Sequence, residues 1–475
     1  MKKHISLFLA LLMLVSLFTL TSCGDGDKSG DAGNASVEIP EVGYDGSEVT
    51  VKFYHTMGQN LRDVLEIYIA EFNALYPKIK IEHEQVGGYD DVKSQISTQI
   101  NVGNQPNIAY CYPDHVALYN LAKAVATLDG FIDSKIEITR ADGTKEILGL
   151  TDEQKSDFIE GYYKEGAAFG DGLMYSLPLS KSTEVLYYNK TFFEQNGLSV
   201  PKTWEEMETV CAKILELDPN SIPLGYDSEA NWFITMCEQY GSQYTSATGE
   251  KYLFNNDKNI EFVTKFREWY QNGYVTTQNL YGAYTSGLFT AATGQRCYMC
   301  IGSSAGAAHQ IPDKDADGNY PFEVGIATIP QVNASNPKVI SQGPSLCIFK
   351  KDNAQEVVAS WLFVKFLTTK VEFQAEFSMV SGYVPVIKSV STNAAYQKFI
   401  GDANGHGNLP ALSAKICLEQ EKAYYTSPAF NGSSIARDEV GLLMSTCLSG
   451  DDGGNTESFI KNAFKKAVDE CIYKG

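Results

Sequence analysis

Val49-Thr50-Val51-Lys52-Phe53, then the segment from Asn60 to Tyr76, then Ile79 and Ile81, form the stretch that decides the fold. The first five residues read as a buried strand. Asn60 to Tyr76 places Leu61, Leu65, Tyr68, Phe72 and Leu75 at helical spacing, and Pro77 stops the helix. Ile79 and Ile81 mark the next strand. After Gly87-Gly88 a second helix aligns Val92, Ile96 and Ile100, and Gly103 to Pro106 leads into a strand around Ile108. This β-α-β-α-β order predicts an α/β fold with a mainly parallel sheet covered by helices. In such sheets ligands bind at the carboxyl ends of the strands.

Further along, Asp142-Gly143 has hairpin chemistry between Ile136-Glu137-Ile138 and Ile147. Val185-Leu186-Tyr187-Tyr188 reads as a strand, and Thr203 with Glu206 forms a capping box that opens a helix. Asn255 to Tyr270 and Gln355 to Leu367 read as amphipathic helices. The part of the chain that can fold, about 430 of 475 residues, is too long for one core, so two lobes are expected. With 44% hydrophobic and 20% charged residues the composition is that of a globular protein. A formal net charge of −20 argues against nucleic acid as a partner.

The amino terminus carries an address. Lys2 and Lys3 precede an uncharged apolar run from Ile5 to Leu20, and Leu20-Thr21-Ser22-Cys23 looks like a lipoprotein cleavage box. The run has 16 residues, short of the ~20 that span a bilayer. Residues 1–22 are therefore expected to be a signal peptide. Cys23 would carry lipid, and 23–47, rich in Gly, Asp and Ser at its start, would be a flexible tether.

Ten cysteines less Cys23 leave nine, an odd and scattered set that is no disulfide framework, though one or two bridges stay open. Cys297-Tyr298-Met299-Cys300 has C-x-x-C spacing. Read as part of a strand, it puts the two sulfurs on opposite faces and favours a structural role. Asp313 to Gly318 begins like a calcium loop, but Val324 stands where the bidentate glutamate belongs, so a polar turn is expected. The histidines show no metal spacing, and His55 is the one considered for a cleft. No cofactor is expected.

Leu177-Pro178-Leu179-Ser180-Lys181-Ser182-Thr183-Glu184-Val185-Leu186-Tyr187-Tyr188-Asn189-Lys190, with Asn196-Gly197-Leu198 and Pro201-Lys202-Thr203-Trp204, resembles the family 1 extracellular solute-binding proteins of ABC importers, which include the maltose-binding proteins. The resemblance implies a two-lobed periplasmic-binding-protein fold with crossing hinge strands and a ligand cleft. It assigns 48–180 plus 297–342 to lobe 1 and 181–296 plus 343–475 to lobe 2. It also implies a monomer that catalyses no reaction and delivers a small hydrophilic solute to membrane permease subunits.

Phe53-Tyr54-His55-Thr56-Met57, Gly87-Gly88-Tyr89 and Ser381-Gly382-Tyr383-Val384-Pro385-Val386 are most similar to the glycerol-3-phosphate-binding proteins of that family. This carries ligand contacts to Tyr89, Ser182, Trp232, Ser304, Gly343, Tyr383 and Arg437. A cleft glutamate of those proteins falls at Pro113, with Asp114 beside it as a substitute. Glycerol 3-phosphate or a glycerophosphodiester is the implied solute, with a mono- or oligosaccharide next. An arginine fork suits phosphate, a strand-to-helix turn at Ser303-Ser304 offers N–H donors to an anion, and aromatic and hydroxyl groups suit a polyol.

The alternative is a lipid-anchored serine hydrolase. Gly302-Ser303-Ser304-Ala305-Gly306 satisfies G-x-S-x-G, and Asp402 and His406 follow Ser304 in serine, acid, histidine order.

Overall fold

A computed structural model describes residues 37–403 and 408–475. The opening elements follow the apolar periodicity: β1 Val49–His55, helix Gln59–Leu75, β2 Ile79–Gln85, helix Tyr89–Ile100 and β3 Ile108–Cys111. β1 pairs in parallel with both β2 and β3. The Gln59–Leu75 helix buries Leu65, Tyr68 and Phe72, the face that the 3.6-residue spacing selects. The Asp142-Gly143 turn joins β4 Glu137–Thr139 to β5 Lys145–Ile147 as an antiparallel hairpin.

Two five-stranded sheets build two lobes. One has the order β2-β1-β3-β13-β6, with β6 Ser176–Pro178 and β13 Ser345–Ile348. The other has the order β11-β7-β10-β8-β9, from β7 Glu184–Asn189, β8 Leu224–Tyr226, β9 Val275–Thr277, β10 Met299–Ser303 and β11 Val324–Ala327. Each sheet has its own buried core, one around Phe53, Phe72, Trp361 and Phe363, the other around Trp204, Trp232, Phe266 and Trp269. A short parallel pair, β12 Val339–Ile340 with β14 Tyr424–Tyr425, packs beside the seam.

The sheets regroup the returning segments. The expectation gave 297–342 to lobe 1 and 343–475 to lobe 2, yet β10 and β11 lie in the second sheet and β13 in the first. Lobe 1 is thus 37–181 with 343–401, and lobe 2 is 182–342 with 409–475. The cause is long-range pairing: β13 runs antiparallel to both β3 and β6. Helices Ala354–Thr369 and Val371–Ser381 follow it onto the first core.

The expected tether also shortens. Val37, Ile39 and Tyr44 pack against lobe 1, Tyr44 lies edge-on to Tyr76 at 6.0 Å, and the Gln355 side chain brackets the backbone at Gly43 and Asp45. Residues 37–47 therefore belong to the fold. The cleavage box, Cys23 and 23–36 lie outside the described residues. Among the described residues no helix is long and apolar enough to cross a membrane.

All nine described cysteines are free and buried. Cys297 and Cys300 share one apolar cluster instead of opposite faces, because the strand begins only at Met299. Asp315 closes a polar turn through the N–H groups of Asp317 and Asn319, as expected for that loop.

Candidate functional site

The lobes are joined where the chain crosses at Ser180–Thr183 and again at Ser341–Pro344. The crossings pair with each other: Ser182 N–H donates to the Gln342 carbonyl at 2.7 Å and Gln342 N–H returns to Ser182 at 2.9 Å. Gly343 has φ +107°, and a Cβ there would sit 2.6 Å from the Ser180 carbonyl oxygen. Only glycine allows so close an approach.

Beneath the crossing lies an ion pair that nothing in the sequence signals. Lys181 and Glu165, with side chains 0% and 2% exposed, are salt-bridged. The Lys181 ammonium also donates to the Gly343 carbonyl and to Ser345 Oγ, each at 3.0 Å, and Thr426 donates to the Glu165 carboxylate at 3.3 Å. Four separate chain segments are thereby tied at one point. Such a pair is tolerated in a dry seam because its remaining donors and acceptors are satisfied.

The cleft beside this seam holds two neighbouring cavities. The smaller, about 210 Å³, is lined by Tyr112 and Asp114 from lobe 1 and by Tyr244, Ser433 and Arg437 from lobe 2, with Ser341, Gln342 and Thr426 on its floor. The wider, about 840 Å³, is lined by Glu184, Asp227, Asn231, Ser303 and His309. Gln342 and Arg437 border both. The wider lies within the range of small-ligand pockets, about 300–1,000 Å³, and the smaller falls just below it.

Lobe 1 contributes tyrosines. Tyr89, the first residue of the Tyr89–Ile100 helix, stacks on Tyr112 with ring centres 4.4 Å apart and faces Tyr110 at 6.3 Å. Its hydroxyl is bonded with Thr56 and with Tyr383. Burial pushes the Tyr89, Tyr112 and Tyr383 phenols above their ordinary value, so all three stay neutral. Pro113 opens the Pro113–Asn120 helix and sets Asp114 in its first turn, facing the cleft.

Lobe 2 contributes charge. Arg437, in the Ser433–Ser449 helix, donates to the Asn231 side-chain oxygen. Asn231 and Gln342 exchange two amide hydrogen bonds of 3.0 Å. The guanidinium is thus positioned by a neutral amide, while Glu439 on the same helix pairs with Lys474 at 2.6 Å. Glu184 opens β7 inside the wall and accepts from the Tyr226 hydroxyl at 2.7 Å. Burial pushes its carboxyl up to about 7, opposed by the bonds from Tyr226 and Asn231 and by the Arg437 charge. Asp227 is raised as well, first by burial, and accepts from Thr285 N–H and Oγ1 at 2.7 Å each.

The structure therefore places Asp114 and Arg437 on the cavity walls, sets Tyr89 against the lining residue Tyr112 with Tyr383 beside it, and puts Ser182 and Gly343 in the crossing. Two expected contacts are corrected. Trp232 is fully buried in the lobe 2 core, stacked on Tyr226 at 4.9 Å and packed on Phe266 at 4.2 Å. One residue is about 100° on a helix, so Asn231 takes the cleft position and Trp232 turns inward. Ser304 is also buried: its N–H donates to the Thr183 carbonyl at 2.8 Å and its Oγ accepts from Thr183 N–H at 3.1 Å. β-strand alternation leaves Ser303 exposed on the cavity wall instead. The following helix, Ser304–Gln310, is a short 3₁₀ segment whose second N–H, at Ala305, is taken by Ser303 Oγ. His55 lies under the sheet end, bonded to His83 at 2.8 Å, and not in the cleft.

Comparison with known proteins agrees with this architecture. A family described as bacterial extracellular solute-binding protein matches residues 68–401. The sn-glycerol-3-phosphate-binding periplasmic protein of Escherichia coli (strain K12) is 25% identical over 364 residues, covering 72% of this chain and 75% of that protein. UgpB from Mycobacterium tuberculosis, solved with glycerophosphocholine, superimposes with a TM-score of 0.68 at 16% identity, over 90% of this chain and 100% of that one. The cyclic alpha-maltosyl-1,6-maltose binding protein from Arthrobacter globiformis gives 0.68 at 19% identity, over 90% and 100%. Two sheets, paired crossing strands and a cleft shared by both lobes are the parts such receptors need, and the chain belongs to the bacterial extracellular solute-binding proteins that serve ABC importers.

Proposed function

We propose that the protein captures a phosphorylated glycerol, glycerol 3-phosphate or a glycerophosphodiester, and delivers it to a membrane permease. The observation that carries this reading is the position of Arg437. It borders both cavities, is held by a neutral amide, and faces Tyr112 and Asp114 of the other lobe. A guanidinium so placed matches phosphate oxygens with a two-pronged, charge-assisted contact. Tyr89, Tyr383 and Asp114 supply hydroxyl and carboxylate partners for glycerol. The relatives whose names include glycerol 3-phosphate and glycerophosphocholine support the same class.

Capture works by hinge closure. A solute touching Asp114 on one lobe and Arg437 on the other stabilises the closed arrangement that a permease recognises. The protein acts as a monomer held to the membrane by lipid on Cys23. It binds its solute without transforming it, and the buried, doubly bonded Ser304 supports that over the hydrolase reading. For that reading, Asp402 lies at the end of a lobe 1 helix and His406 lies outside the described residues.

A second reading, a mono- or oligosaccharide, is favoured by the wide cavity, where Asp227, Asn231 and Ser303 offer planar acceptors and hydroxyls. A thermal-shift screen of glycerol phosphates against sugars separates the two. Bound solute raises stability by RT ln(1 + [L]/Kd), about 2.7 kcal/mol at a hundredfold excess over Kd. A shift with sugars alone overturns the phosphate assignment.

A further inference from the structure

The charges on the cleft walls do not balance. Among the described residues that line the two cavities, Glu165 is answered by Lys181, which leaves Arg437 against Asp114, Glu184 and Asp227. An anion seated on Arg437 adds a further negative charge within the same space. Like charges in a poorly solvated site raise the cost of keeping a carboxylate ionised, so one of the three is expected to yield.

The three differ in what holds their charge. Asp114 is partly exposed and therefore screened by solvent. Asp227 is also partly exposed, and it accepts two 2.7 Å bonds from Thr285 and a further contact from the Cys300 thiol. Glu184 is 2% exposed and has the Tyr226 phenol as its one close donor, with help from an Asn231 amide that Gln342 and Arg437 already share.

We propose that Glu184 is a specificity-determining residue that loads a proton as the solute binds: its carboxylate takes a proton from solvent when an anion settles on Arg437. The new carboxyl O–H then serves as a donor on the wall of the wide cavity. Nothing else is made or broken in the step. The inference rests on the phosphate reading above. The groups that face Glu184 are Tyr226 and Asp227 at the end of β8, Asn231 from the Glu229–Tyr240 helix, Arg437 from the Ser433–Ser449 helix, and Tyr425 from β14. Among these only Arg437 favours the ionised form by charge, and the solute claims it. In the free protein the carboxyl already stands near 7, from burial first, so a modest push suffices.

Titration calorimetry of the full soluble chain with glycerophosphoglycerol tests this, in two buffers of different ionisation enthalpy at about pH 7.5. That diester keeps a single negative charge across the neutral range. The expected result is net uptake of a large fraction of one proton per solute, with affinity falling up to about tenfold per pH unit on the alkaline side. Glu184→Gln should bind with no uptake and a flat pH profile. Wild-type binding without uptake, or uptake that survives in Glu184→Gln and vanishes in Asp227→Asn, overturns the inference and leaves the solute class standing. No binding of the diester at any pH, with binding of maltose, overturns the solute class and the inference with it.

Discussion

The wall that lobe 1 gives to the cleft is chiefly aromatic, with Tyr89 stacked on Tyr112 and bonded to Tyr383 and with Asp114 as its carboxylate, whereas the wall that lobe 2 gives carries Arg437, Glu184 and Asp227. The first is built from loops at the carboxyl ends of β2 and β3 and from the turn after one helix. The second is assembled from the start of β7, the end of β8 and two helices far apart in sequence. A tyrosine wall offers shape and hydroxyls to many polyols at little electrostatic cost. A charged wall discriminates, because an unmatched charge in a narrow cleft is penalised. Selectivity is thus expected to reside in lobe 2 and general affinity in lobe 1, with both dependent on the seam that carries them.

The seam should give the largest effect. Lys181→Ala leaves the Glu165 carboxylate buried and unpaired, so chemical denaturation should report a loss of about 3–5 kcal/mol. Replacing both residues with methionine should return most of it, since the pair is replaceable by apolar volume. If Lys181→Ala proves neutral, the crossing strands are held by their backbone pairing alone, and the comparison of walls no longer rests on a shared support.

Next comes the charged wall. Arg437→Ala should cost about 2–5 kcal/mol in binding glycerol 3-phosphate, a loss of roughly thirtyfold to several thousandfold by calorimetry. A neutral sugar, if bound at all, should change far less. Equal losses for both solutes would show that Arg437 merely holds Asn231 and Gln342 in place.

Glu184 tests the same wall through stability. Its folded-state carboxyl is raised from 4.5 to about 7, so the native state holds a proton that the unfolded chain has lost. The associated stability is fully present below about pH 4.5 and is lost as pH rises through 7. Between about pH 5 and pH 8 the unliganded wild type should lose on the order of 3 kcal/mol relative to Glu184→Gln, measured by denaturation at each pH. Parallel profiles for the two proteins would remove Glu184 as the titrating group.

The two walls also differ in how far the sequence reveals them. Tyr89 and Tyr383 stand in short local motifs, and the strand and helix pattern from Val49 to Cys111 places the first at a strand end. That local reading extends to the Thr203 capping box, whose reciprocal bonds form as expected. What fails is anything set by tertiary pairing or by a single step of register. Ser345–Ile348 pairs with β3 and β6, and nothing in those four residues names these partners. Ser303 and Ser304 are equivalent on paper, and so are Asn231 and Trp232 as neighbours on a helix. In each case the core claimed one and left the other to the cleft. Glu184 did offer a signal, a carboxylate at the head of an apolar strand, where an unpaired charge is costly unless it has a purpose. The Lys181–Glu165 pair offered none, because its partners lie 16 residues apart with β6 between them.

The smallest effect belongs to the aromatic wall. Tyr89→Phe keeps the ring that stacks on Tyr112 and removes only the hydroxyl shared with Thr56 and Tyr383. A neutral hydrogen bond is worth about 1 kcal/mol net, so affinity should fall about fivefold, and equally for a phosphorylated and an unphosphorylated polyol. Tyr89→Ala, which removes the stack as well, should cost more while preserving that equality. The ratio between solutes is the informative quantity, since it cancels any general loosening of the cleft. If Tyr89→Phe weakens the phosphate ester tenfold more than the polyol, then the lobe 1 wall also reads charge. The division between a wall that grips and a wall that chooses would then give way to a phosphate site donated by both lobes.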